Sequence, residues 1–178
     1  MKPENFPTII EDELSLERIV FFSDAVFAIA ITLLALEIRL PESAGLDDTE
    51  LFKALIALWP KYLGFMVSFL GIGNFWAVHH RQFRYIKRFD TRLVFLNLLI
   101  LLIVAFIPFP TAVISSNGNL TATIFYALSM AAVGFSSALL WIYASHKHRL
   151  VAPNLSPAVI RRGLMRTLSA PVVLSLSV

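Results

Sequence analysis

The run from Arg18 to Ile38, RIVFFSDAVFAIAITLLALEI, is long and apolar enough to cross a bilayer, yet it carries an Arg, a Ser and an Asp near its start. A hydrocarbon core of about 30 Å takes about 20 residues of helix, and an ionisable group inside such a helix marks a functional site by default. At 100° per residue, Phe22, Val26, Ile29, Leu33 and Leu36 share one narrow sector, a seam of large apolar side chains at 3-4 spacing. Ala28 and Ala35 lie on the other side with Asp24, which points about 140° away from Ile29 on an ideal helix.

The rest of the chain fits a membrane setting. Only 15% of its 178 residues are charged, against about a quarter in soluble proteins, and 57% are hydrophobic. The absence of Cys excludes a disulfide framework, a thiolate metal site and a Cys nucleophile. The formal charge of +3 comes from basic loops, and no nucleic-acid motif accompanies it. The N-terminus, MKPENFPTIIEDELSLER, is too acidic for the n-region of a signal peptide, so the first span serves as its own insertion signal.

The sequence predicts an all-α, polytopic helical membrane protein. Residues 1 to 14 read as a surface arm. Spans are expected at about 16–38, 62–78, 93–108 and 121–143, ended in turn by Pro41, by His79-His80-Arg81, by Pro108 with Pro110, and by Trp141 with Tyr143. Residues 41–50 form an acidic loop, and an interfacial helix precedes the Trp59-Pro60-Lys61-Tyr62 belt. A basic loop from His146 to Arg166 leads to a last apolar piece from about Leu168, too short to cross the core and so expected to be part of a fifth span. Arg81, Arg84, Lys87, Arg88 and Arg92 follow span two, and Lys147, Arg149, Arg161, Arg162 and Arg166 follow span four. The positive-inside rule puts these loops, and by parity the N-terminus, in the cytoplasm of a cell whose inner membrane holds the protein.

Polar residues recur at one depth. Asp24 lies six residues above Arg18, Asn74 six above His80 and Asn97 six above Thr91, each about 9 Å from the cytoplasmic end. An unpaired charge there costs roughly 2.5 to 3.5 kcal/mol, so Arg18, Ser23, Asp24, Asn74, His79, His80 and Asn97 are expected to share a hydrogen-bonded layer holding span one to spans two and three. A direct part in proton sensing or permeation is the other reading. A metal site is not expected, because adjacent His79 and His80 diverge by about 100° and the spacing that binds zinc is i, i+4. Ala127, Ala131, Gly134 and Ala138 read as a packing seam in span four.

Arg18-xxx-Phe22-Ser23-Asp24, the following AVFAIAITLLALEI, Trp76-Ala77-Val78-His79-His80-Arg81-Gln82-Phe83 and Asn97 together resemble the transmembrane protein 175 family, the endosomal and lysosomal potassium channels, in its prokaryotic branch. The resemblance implies six spans per repeat, a homotetramer embedded in the lipid bilayer, and potassium as the permeating ion with no cofactor. Residues 1–178 then form one transmembrane channel domain containing four spans and part of a fifth, with the native product continuing beyond residue 178. It also implies that the first helix lines the pore, with Ile29 at the principal constriction, Leu33 and Leu36 further out, and Thr32 at a position linked to ion preference. On the residues alone the seam reads as ordinary packing or lipid contact, and Thr32 reads equally as bonding back to its own helix.

Three functions compete. The first is a homotetrameric, potassium-preferring cation channel with a hydrophobic constriction, since no TVGYG-type loop is present to replace an ion's hydration shell. The second is a proton-conducting or proton-coupled protein using Asp24 and the His residues. An enzyme based on His79 or His80 is the third, and it finds no nucleophile at recognisable spacing in Ser136 or Ser145.

Overall fold

The computed structural model describes residues 9–40 and 45–176, and the side chains of 15–40 and 45–168. Among the described residues seven α-helices follow one another: α1 Ile9–Leu33, α2 Asp48–Ala57, α3 Trp59–Tyr85, α4 Thr91–Phe106, α5 Pro108–Asn117, α6 Leu120–Ser145 and α7 Pro157–Leu176. Four stretches among the described residues are long and apolar enough to cross a membrane: Ser15–Glu37, Trp59–Tyr85, Thr91–Asn117 and Leu120–His148.

Local chemistry sets the helix ends, and several differ from those read in the sequence. The arm expected over residues 1–14 is already helical from Ile9, and residues 1–8 lie outside the described part. α1 tightens into a 3-10 turn over Leu34–Glu37. In the acidic loop, Asp47 accepts from the Glu50 amide at 2.8 Å while Glu50 accepts from the Asp47 amide at 3.2 Å, a capping box that starts α2 at Asp48. α3 then begins at Trp59, not Tyr62, because Pro60 in a first turn lacks only an N–H that has no intrahelical acceptor there.

The same reason moves the end of span three. Pro108 and Pro110 sit in the first turn of α5, so the chain kinks at Ile107 and continues helically to Asn117, where expectation had stopped it at 108. Gly118 in the left-handed region (φ 58°) closes that helix, its N–H reaching the Ile114 carbonyl at 3.0 Å, and Asn119 caps α6 through the Ala122 amide at 2.9 Å. The loop expected from His146 to Arg166 is helical from Pro157, so Arg161, Arg162 and Arg166 stand on α7, whose backbone continues through the apolar piece from Leu168 to Leu176.

α6 is the central element, buried along Tyr126, Met130, Val133, Leu140 and Trp141, with α4, α5 and α7 packed around it. Its Ala127, Ala131, Gly134 and Ala138 are buried, as small residues at a close helix contact should be. α7 approaches so closely that a Cβ on Gly163 would stand 2.8 Å from Trp141 Nε1. α1 lies on α3 and α4 through Ser23, Phe27, Ala30 and Leu34, all buried. Those four span only about 60° of helix azimuth; Ile19, Val20, Val26 and Ile31 flank them, half-buried against the core, and the opposite side of α1 is exposed.

Candidate pore face and polar layer

The uncovered face of α1 carries the seam. Ile29 is 57%, Leu33 39% and Leu36 57% exposed, Phe22 is exposed with them, and Val26 at the seam's edge is half-buried against the core. In the 3-10 turn, side chains three apart eclipse, which stacks Leu36 over Leu33. Thr32 is exposed beside them and donates its hydroxyl to the Ile29 carbonyl at 2.8 Å, a bond that leaves its oxygen able to accept. Large apolar groups turned away from a chain's own core in this way need lipid or another subunit to cover them.

Of the polar residues expected to meet, the structure brings three into one buried chain. Ser23 donates to the Ile19 carbonyl at 2.8 Å, so its oxygen can only accept from Asn97 Nδ2 at 2.9 Å. That orients the amide with Oδ1 toward His79 Nε2 at 2.7 Å and requires the proton on Nε2. His79 Nδ1 is buried with no partner among the described residues, and the ring stacks on Phe83 at 4.4 Å with Phe27 at 5.4 Å. The chain joins α1, α4 and α3 in that order.

The other members stand apart. Asp24, half-buried, accepts from Trp76 Nε1 at 2.7 Å, not from Asn74, His79, His80 or Asn97. Trp76 in turn lies 5.6 Å from the exposed His80 ring. Asn74 is exposed and takes no part, because its direction on α3 is about 140° from that of His79; equal depth does not bring side chains together when azimuths differ. Arg18 is exposed and makes no hydrogen bond among the described residues; it lines a surface recess with Phe22, Phe89 and Asn97.

Two buried networks escaped the sequence reading. Ser68 meets Thr111 at 2.8 Å and Tyr126 at 3.1 Å, tying α3 to α5 and α6. Gln82 donates to Thr167 at 3.1 Å and accepts from Ser137 at 3.2 Å, tying α3 to α7 and α6. The available signal was phase: Ser68, Ile72, Phe75, His79 and Gln82 recur at 4-3-4-3 spacing along one side of α3, so its polar members had to find partners inside.

At the loop end, Asp90 caps α4 through the Leu93 amide at 2.9 Å, accepts from Tyr143 at 2.6 Å and pairs with Arg149 at 3.4 Å. Desolvation pushes the Asp90 carboxyl up, but the bonds from Tyr143 and Leu93 and the Arg149 charge outweigh it and hold the group below its ordinary value. Beside it Lys87 and Arg88 donate their amides to the Leu150 carbonyl, joining the two basic connections. Among the described residues no three His, Asp or Glu side chains converge as metal ligands would.

Residues 18–108 match the model of a protein family described as the endosomal/lysosomal potassium channel TMEM175. The chain is 40% identical to a potassium channel of Streptomyces collinus over 84% of its own length and 74% of that protein's. Its identity to a potassium channel of Chamaesiphon minutus is also 40%, over 76% and 68% of the two chains. It is 33% identical to the human endosomal/lysosomal proton channel TMEM175, covering 59% of this chain and 22% of that one. Among solved structures it superposes on the crystal structure of a lysosomal potassium-selective channel TMEM175 homologue from Chamaesiphon minutus with a TM-score of 0.79, at 33% identity over 92% of this chain and 84% of that one.

Proposed function

This chain belongs to the TMEM175 family, whose members are ion channels and not enzymes, and from that premise we propose that it assembles as a homotetramer around an axis lined by α1 and conducts cations with a preference for potassium. The observation that carries this reading is the two-sidedness of α1. Ser23, Phe27, Ala30 and Leu34 hold one face to the subunit, while Ile29, Leu33 and Leu36 turn away from it. Four such faces around an axis would form stacked rings of aliphatic side chains, a hydrophobic constriction that opens by widening and wetting. Ile29 forms the narrowest ring, with Leu33 and Leu36 above it. Thr32 supplies a hydroxyl oxygen to a permeating ion one turn from that ring, and potassium is the permeant substrate, not a cofactor.

The layer of Ser23, Asn97 and His79, together with the Asp24–Trp76 bond, sets the rotation of α1 about its own axis, and hence which residues meet at the constriction. The basic ends of α3, α6 and α7 face the cytoplasm, with the N-terminus on the same side of the inner membrane. The reading is tested by reconstituting the protein into liposomes and measuring flux under a potassium gradient and then a sodium gradient. Flux of potassium exceeding that of sodium is expected, and no flux of either ion ends the channel reading.

A proton pathway through Asp24 and His79 is the second reading, favoured by the buried, unpartnered His79 Nδ1 and by the naming of the vertebrate relatives as proton channels. Asp24 lies on the flank of α1, off the Ile29–Leu36 face, so ion and proton would take separate routes. Proton flux that survives Ile29→Trp while potassium flux does not would favour it.

A further inference from the structure

Where the loop ends of α3, α6 and α7 meet, a cavity of about 170 Å³ stands apart from the pore face. α3 contributes Arg81 and Tyr85, and α7 contributes Arg162 and Arg166, each pair at i, i+4 and so on one side of its helix. Trp141 of α6 forms the wall between them. Among the described residues no carboxylate lines the space, and neither Arg81 nor Arg162 has a carboxylate partner.

The remaining polar groups are already used. Gln82, Thr167 and Ser137 bond to one another beneath the cavity, and Trp141 gives its indole N–H to the Ile160 carbonyl at 3.0 Å, leaving the ring as an apolar wall. Gly163 presses α7 against that ring, and Arg162 and Arg166 line the same space. The Arg81 and Arg162 guanidinium groups, which have no carboxylate partner among the described residues, suit a tetrahedral oxyanion, whose oxygens accept their forked N–H donors. A volume equal to several waters of about 30 Å³ holds one phosphate. Inorganic phosphate shares this chemistry, but the indole wall and Val78 and Val159 favour an esterified phosphate with apolar substituents, and basic pockets between spans at the membrane boundary recognise lipid headgroups.

We propose that this cavity binds the phosphodiester headgroup of an anionic phospholipid from the leaflet facing the basic connections. The test is native mass spectrometry of the purified, delipidated protein titrated with dimyristoyl phosphatidylglycerol, with dimyristoyl phosphatidylcholine, and with phosphatidylglycerol in competition with inorganic phosphate. Wild type should retain phosphatidylglycerol in preference to phosphatidylcholine. Each surface arginine adds about 1 kcal/mol toward an anionic lipid, so Arg162→Gln should weaken retention about fivefold and Arg81→Gln with Arg162→Gln roughly thirtyfold. Replacing both with Lys should restore most of it. Equal retention of the two lipids by wild type, or retention unchanged in Arg162→Gln, overturns the proposal, and neither comparison depends on the double variant folding. Displacement of the lipid by an equal concentration of inorganic phosphate overturns it in favour of a soluble oxyanion.

Discussion

Trp76 donates its indole N–H to Asp24 across 2.7 Å, joining the middle of α3 to the flank of α1. A carboxylate in an apolar setting is stabilised by any donor it can reach, and an indole N–H in the same setting has no acceptor to spare.

The two residues should therefore act as a unit. Asp24→Ala leaves the Trp76 N–H unpaired and Trp76→Phe leaves the carboxylate without its donor, each costing on the order of 1 to 3 kcal/mol. The double variant should be little worse than either single one. Thermal unfolding in detergent checks this: additive losses would show that the bond contributes nothing. Asp24→Ala should also impair assembly more than ion preference, and a stable oligomer with altered selectivity would place Asp24 on the permeation path.

Ile29 and Phe27 are two residues apart and should fail in opposite ways. Phe27 is buried, and Phe27→Ala should cost about 3 to 5 kcal/mol of stability. Ile29 lies outside the subunit's core, so Ile29→Asn should leave the subunit folded while wetting the proposed constriction, raising conductance and lowering discrimination among cations. Single-channel recording decides it; unchanged currents would remove Ile29 from the pore.

Asn97 stands between Ser23 and His79, and Asn97→Ala strands the His79 Nε2–H in the interior. The expected loss is about 1 to 3 kcal/mol. Ser23→Ala should be milder: it removes a single acceptor for the Asn97 amide, and the Ile19 carbonyl freed by the change keeps its place in the helix ladder. Reversal of that order in thermal unfolding would mean that the amide is not the centre of the layer.

Acid should loosen the loop end. The Asp90 carboxyl is held below its unfolded value of about 3.9, so its contribution is complete above that pH and is lost as pH falls through the lowered folded value. As pH falls below about 4, wild type should lose stability relative to Asp90→Asn, and near neutrality their difference should be constant. Parallel pH profiles of unfolding temperature for the two proteins would contradict the assignment.

What the sequence determined by itself follows from one-dimensional physics. Runs of about 20 apolar residues have to span, as Leu120 to Ser145 does, and the phase of Ile29, Leu33 and Leu36 is set by helix geometry, so their common side needed no neighbours to define it. The motif from Arg18 to Asp24 was enough to point to the family. Helix ends were less legible where a residue's effect depends on its place in a turn: Pro108 ends a helix from inside but is accommodated in the first turn of the next, and only the backbone shows which applies. Partner choice was decided by tertiary structure alone. Ser23 and Asp24 are adjacent, yet their side chains diverge by about 100°. One reaches Asn97 across the α1–α4 contact and the other reaches Trp76 on α3, and Asn74, at the expected depth, faces neither. Depth along a helix can be counted in residues, but a hydrogen bond also needs the rotation of two helices about their own axes, which is fixed only when their buried faces pack.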